Sequence, residues 1–188
     1  MNPLLKLILM AAVILICSKV GAQVNIDNAM LSGVKIEPVP SLFIFNSETQ
    51  TITGYNGLVN GHLAIPQTIG GVQVLNLGAG AFYNKYVKSV SLPSGLLTIG
   101  GHAFAVYVGG YKPIAQQTDI TIPSSVTLID AFAFASWPLT KITIGATVNI
   151  VGSATMGVYG LAFRTFYEAG GKLAGTYEYI EGSWVKTS

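Results

Sequence analysis

Few residues in this 188-residue chain have side chains able to cut, transfer or coordinate. The histidines are His62 and His102, and the one cysteine is Cys17. Hydrolysis by a nucleophile needs a base and an orienting group in mutual reach. His62 follows Gly61, and His102 stands directly before Ala103-Phe104, so both read as ordinary turn residues. A glycosidase pair would need two carboxylates, and Asp119 and Asp130 are the candidates. Each has a simpler role: Asp119 immediately precedes a strand-like run, and Asp130 stands where a carboxylate accepts backbone N–H groups in a turn. Two histidines and scattered carboxylates make no zinc pattern, and no Asp/Asn-rich loop suggests calcium. Gly78-Ala79-Gly80 lacks the lysine of a phosphate-binding loop. The expectation is a chain that is not an enzyme, with no catalytic residues, metal or cofactor.

The charges point the same way. The basic residues Lys85, Lys88, Lys112, Lys141, Arg164, Lys172 and Lys186 are spread along the chain and form no phosphate track. Lys6 and Lys19 lie in a segment expected to be removed. Of ten basic residues eight then remain, against eight acidic ones, which gives no electrostatic ground for nucleic acid or an anionic membrane. Residues 1–22 read as a signal peptide. After Lys6, Leu7 to Cys17 is an unbroken apolar run that covers roughly 16 Å as a helix, about half a bilayer's hydrocarbon thickness. That length suits a signal core and not a span, so no membrane span is expected in the mature chain. Val20-Gly21-Ala22 places cleavage between Ala22 and Gln23. The rival reading lipidates Cys17, but Ile16 is larger than the residue such processing prefers. Cleavage after Ala22 leaves no cysteine and no disulfide.

What positions the remaining residues is a repeat. Charged residues make up 10%, hydrophobic ones 51%, and 22 residues are glycine, a balance that favours sheet with tight turns. LAIPQTIGGVQVLNLGAGAF (63–82), VSLPSGLLTIGGHAF (90–104) and ITIPSSVTLIDAFAF (120–134) share one pattern. It runs apolar-x-apolar-Pro, a spaced apolar pair, then Ala-Phe. ITIGATVNIVG (142–152) keeps the first half, with Gly145 in place of proline. Anchors at Ile65, Leu92, Ile122 and Ile144 are 27, 30 and 22 residues apart. The period-two triplet sends its outer residues into a core, and proline stops the ladder. Phe82, Phe104 and Phe134 are expected to stack as a column. One such coil cannot bury its own edge, so coils must stack and be capped.

These units resemble the BspA-like leucine-rich-repeat family of bacterial surface and secreted proteins. IPSSVTLIDAFAF (122–134) is close to that family's repeat. FNSETQTITGYNG (45–57) and FRTFYEAGGKLAGTYEYIEGSW (163–184) look like the segments that open and close such arrays. The resemblance covers residues 43–186 and implies a short β-rich α/β leucine-rich-repeat solenoid of about three to four coils. It carries an N-terminal hairpin cap and a C-terminal β-hairpin cap. The expected division is signal peptide 1–22 and one domain 23–188, with N-cap 43–82, repeats 63–152 and C-cap 153–186. Gly70-Gly71 reads as a hairpin turn within the N-cap. Tyr177 and Tyr179 alternate on one strand, and Glu181-Gly182 turns the chain toward Trp184.

The units are unequally spaced. From Ala-Phe to the next anchor takes ten residues at Phe82–Leu92 and Phe134–Ile144, and eighteen at Phe104–Ile122. The insertion carries Tyr107, Tyr111, Lys112, Gln116 and Gln117, and loops of this kind often hold contacts. A second candidate surface is the concave strand face, with Ala64, Ser91, Thr121 and Thr143 pointing outward. Lys88 and Lys141 stand at the approaches to their strands, where they are expected to near one another. The resemblance implies an exported binding protein at the cell surface or in the medium, with the periplasm as the other compartment. Adhesion to a protein or glycan partner outside the cell is the implied role. The alternative is a self-associating structural protein of the envelope without external ligand.

Overall fold

The computed structural model describes residues 42–59, 61–106, 117–152 and 154–188. Tyr107, Tyr111, Lys112 and Gln116, and Cys17, Ala22 and Gln23 of the expected leader, lie outside the described residues.

The chain is a β-solenoid of about four turns. Each coil lends a short strand to a back ladder and another to a front face. The back ladder opens with an antiparallel hairpin, β1 (Phe43–Asn46) and β2 (Thr51–Tyr55). From β2 it continues in parallel through β6 (Asn76–Leu77), β8 (Thr98–Ile99), β10 (Leu128–Ile129) and β12 (Asn149–Ile150), in that order. The register lines up Ile52, Leu77, Ile99, Ile129 and Ile150, all buried, because alternate residues of a strand share a face. The outward row is polar at Thr51, Asn76, Thr98 and Asn149: Thr98 Oγ1 donates to Asn76 Oδ1 (2.8 Å), and Asn76 Nδ2 donates to the Thr49 carbonyl (3.0 Å).

The front strands are the apolar-x-apolar triplets. β3 (Gly61–Ala64) pairs in parallel with β7 (Val87–Ser91), and β9 (Asp119–Thr121) with β11 (Lys141–Ile144). Leu63, Val90, Ile120 and Ile142 point inward, and Ile65, Ile122 and Ile144 are buried beyond them. Gly145 replaces proline for a local reason. A Cβ there would stand 3.1 Å from the Ser124 Cα, so the fourth coil lies against the backbone of the third.

Phe82, Phe104 and Phe134 form the expected column, with ring centroids 5.1 and 5.3 Å apart and planes within 14°. Phe43 and Tyr55 close one end of it. Trp137 lies edge-on to Phe104 and Phe134, and its Nε1 donates to the Phe104 carbonyl (3.2 Å). β4 (Thr68–Ile69) and β5 (Val72–Gln73) make the Gly-Gly hairpin, with Gly70 and Gly71 at φ 58° and 81°, where an L side chain would be strained.

The last coil is covered by a helix and a hairpin. Helix α1 (Gly160–Ala169), which the repeat pattern did not anticipate, buries Phe163 and Tyr167, one turn apart. Phe163 meets Tyr177 and Trp184 edge-on, and both are buried. They belong to β13 (Gly175–Ile180) and β14 (Ser183–Lys186), an antiparallel pair turned at Glu181-Gly182; β13 also pairs with β11. The buried Tyr167 hydroxyl donates to the Gly145 carbonyl (2.6 Å) and accepts from Val148 N–H (3.1 Å). Burial pushes the phenols of Tyr55, Tyr167 and Tyr177 above their ordinary range. No helix among the described residues is long and apolar enough to cross a membrane.

A polar slot in the front face

The back ladder runs through every coil, but the front face is split. Among the described residues, no ladder joins β7 to β9, so the front consists of a β3–β7 pair and a separate sheet in the order β9, β11, β13, β14. The division falls where the sequence inserts eight extra residues between Phe104 and Ile122. At this junction β8 still pairs with β10 behind, and Phe104 still stacks on Phe134 at the flank. The second and third coils are therefore joined at the back and parted in front.

Backbone alternation fixes what faces the gap. The Ser91 carbonyl accepts from Ile65 N–H (3.0 Å), which turns Ser91 toward β3 and its neighbours Val90 and Leu92 toward β9. Ile122 N–H donates to the Thr143 carbonyl (2.8 Å), which turns Ile122 toward β11 and Thr121 toward β7. Leu92 N–H, the equivalent of those two donors at this junction, has no such partner on β9.

Gln117 bridges the gap near its start. Its backbone N–H donates to the Lys88 carbonyl (3.1 Å). Its side-chain Oε1 accepts from Val90 N–H (2.8 Å), and its Nε2 donates to the Asp119 carbonyl (2.5 Å). In a continuous parallel sheet Val90 N–H and the Asp119 carbonyl would bond to each other directly. Beyond the bridge a cleft of about 550 Å³ opens between Val90, Ser91, Leu92 and Ser94 on one wall and Asp119, Thr121, Pro123 and Ser124 on the other. Ser125 closes its far end, its Oγ 2.8 and 2.6 Å from the Ser94 and Leu96 carbonyls. A second, shallower depression of about 390 Å³ shares Val90, Ser91, Gln117 and Asp119 and extends over His62, Lys88 and Ser89.

Of the residues expected at a binding surface, Lys88, Ser91, Gln117 and Thr121 are thus brought together around the cleft. Lys141 and Thr143 are not. Both sit on β11, where Lys141 Nζ pairs with Glu178 of β13 (2.9 Å) and Thr143 Oγ1 is 3.1 Å from Thr176 Oγ1. Lys88 and Lys141 fall on separate sheets, with β9 between their strands.

His62 is a strand residue and not the turn residue its glycine neighbour suggested. It projects from β3, with Nδ1 2.8 Å from Ser89 Oγ and Nε2 3.0 Å from Ser91 Oγ. A neutral imidazole donates from one nitrogen and accepts at the other, so one serine oxygen accepts a hydrogen bond and the other serine hydroxyl donates one. Among the described residues no carboxylate bonds to the ring, so the array lacks the orienting acid of a hydrolytic triad. One signal would have found it: His62 and Ser89 are 27 residues apart, the same spacing as the anchors Ile65 and Leu92. Asp130 does cap its own turn, its Oδ1 accepting from Ala131 N–H (2.7 Å). His102 occupies a turn at φ 57° and stacks on Phe132. No group of three or more metal-ligating side chains occurs among the described residues.

Residues 75–159 match the model of the family described as "BspA type Leucine rich repeat region (6 copies)". The chain is also similar to the leucine-rich-repeat protein of T. pallidum whose crystal structure is solved. The two are 16% identical over 72% of this chain and 96% of that one, with a TM-score of 0.31. No curated protein matches the sequence.

Proposed function

Residues 75–159 belong to the BspA-type leucine-rich-repeat family, and on that premise we propose that this chain is an exported adhesion module that holds an extracellular protein partner. The repeat family supports a role in protein–protein interaction in general, and its scaffolds are typically non-enzymatic. The further claims rest on this chain's own residues. Residues 1–22 act as the export signal, and residues 23–188 are the delivered domain, released or held at the cell surface.

The observation that carries the binding role is the polar slot, a break in an otherwise regular stack where the coils behind it stay joined. Asp119 lines the slot, and Lys88 lines the depression beside it, so one charge of each sign stands at this face.

Protease shaving of intact cells tests the location, with an antibody against residues 23–188 and a periplasmic protein as control. Loss of the signal while the control survives is the expected result. A protected signal would overturn the surface role. A second reading, self-association in the envelope, is favoured by one observation. Val158, Leu161, Phe166, Leu173, Ile180 and Val185 expose apolar surface on or beside the helix and hairpin that cover the last coil. Light scattering that shows a concentration-dependent mass would support that reading, and a constant monomer mass would remove it.

A further inference from the structure

We infer that the slot between β7 and β9 binds one extended polypeptide segment, which adds to the front face as the strand missing there. The inference rests on the reading of the chain as a protein-binding module, and it names that module's site and the form of its partner.

Width is the first argument. With a carboxamide between them, Val90 N and the Asp119 oxygen stand up to about 7 Å apart, given the two contact distances and amide bond lengths. A direct ladder bond would hold them at ~2.9 Å. The excess reaches at most about the ~4.8 Å between neighbouring strands. Past the Gln117 N–H bond to Lys88, the Gln117 side chain therefore holds the walls farther apart than a ladder bond would, and it does so with the group a strand would present. Its carboxamide accepts from one wall and donates to the other, as a backbone peptide does.

The second argument is what lies past the bridge. Leu92 N–H and the Val90 carbonyl face the slot from one wall, and Thr121 N–H and its carbonyl from the other, by the alternation set out above. Two donors and two acceptors, arranged on both sides at strand spacing, match an extended backbone and need no particular side chain. From the Gln117 bridge to Ser94 and Ser125 the slot has room for about three residues, or ~10 Å of strand. Because Phe104 and Phe134 remain 5.3 Å apart, the gap narrows toward the core. A side chain pointing inward must therefore be small, glycine, alanine or serine.

The test uses the full chain and random twelve-residue peptides displayed on phage. Peptides enriched on the wild-type chain are synthesised, and their affinities are compared with the variant Thr121→Pro. Proline deletes the N–H that faces the slot and leaves the β9–β11 ladder intact, since Thr121 does not donate to β11; an edge position tolerates it. The expected result is enrichment of peptides with small residues at alternate positions, bound at least tenfold more weakly by Thr121→Pro. Should that variant fold poorly, amide hydrogen exchange on the wild-type chain decides instead. Bound peptide should slow exchange at Leu92 and Thr121 at least tenfold and leave Ile65 and Ile122 unchanged. Equal binding by a folded Thr121→Pro, unchanged exchange at both amides, or no enriched peptide would each overturn the slot. None of these bears on export or on partners held elsewhere, so the module reading stands or falls separately.

Discussion

Replacing Phe104 with alanine tests whether the coils are held by one continuous column of rings. Phe104 is 1% exposed and stacks between Phe82 and Phe134, with Trp137 against its edge. Truncating a buried phenylalanine costs about 3–5 kcal/mol, and the rigid neighbours on both faces place this site near the top of that range. The Trp137 hydrogen bond survives, because its acceptor is the Phe104 backbone carbonyl. Phe104→Leu restores most of the volume but loses three ring pairs at about 0.5–1.5 kcal/mol each, so a cost of at least about 1.5 kcal/mol, below that of alanine, is expected. Urea unfolding followed by tryptophan fluorescence measures both, since Trp137 sits beside the column. With a slope of about 2 kcal/mol/M, the alanine variant should lose about 2 M in its midpoint and the leucine variant about 1 M. An alanine cost below about 1.5 kcal/mol would refute continuous packing. Equal costs for the two variants would show that ring geometry, and not volume, holds the coils.

Four further outcomes follow from other contacts. Gly100→Ala should cost at least about 2 kcal/mol by thermal unfolding, because a Cβ there would lie 2.6 Å from Ala79 N and 2.7 Å from the Gly78 carbonyl carbon; a neutral result would mean that the coils can shift apart. Gln117→Ala should speed amide exchange at Val90, which loses its acceptor, and cost about 1–2 kcal/mol; unchanged exchange would contradict the bridge. Stability should fall as pH rises beyond about 10, because the folded chain keeps protons on Tyr55, Tyr167 and Tyr177 that the unfolded chain, with phenols near 10.0, releases. Tyr167→Phe should lower Tm at neutral pH, leaving the Gly145 carbonyl and Val148 N–H unpaired, and should reduce the alkaline slope; a Tm that is level to pH 11 in the wild-type chain would refute the burial argument.

The repeat made most of the stack legible before any coordinates. The spacing of Phe82, Phe104 and Phe134 placed the rings in a column, and period-two triplets ahead of proline placed the front strands. Gly70-Gly71 and Glu181-Gly182 marked two turns because both need positive φ. What escaped was whatever depends on a single side chain or on short pairing. The back-ladder strands after β2 are two residues long, too short to show a period. Helix α1 carried the spacing of Phe163 and Tyr167 and the stop at Gly170-Gly171, but it lay inside a tail read as a hairpin. The insertion was plain from its length, and Gln117 was among the residues singled out. Its carboxamide spanning two strands was not readable, since that depends on how far the coils part. Lys141 and Thr143 were expected on an open surface, and β13 pairs alongside them, a partner strand that the repeat pattern does not encode.

The split front also makes the stack mechanically uneven. A solenoid whose coils are bonded front and back resists bending alike at each junction. Among the described residues one junction keeps its ladder behind but in front has only the Gln117 bridge and the Ser125 bonds, so bending compliance concentrates between the second and third coils. A pull along the stack would open that joint ahead of its neighbours, and a strand lodged in the slot would stiffen it, so that tension along the chain and occupancy of the slot act on the same joint.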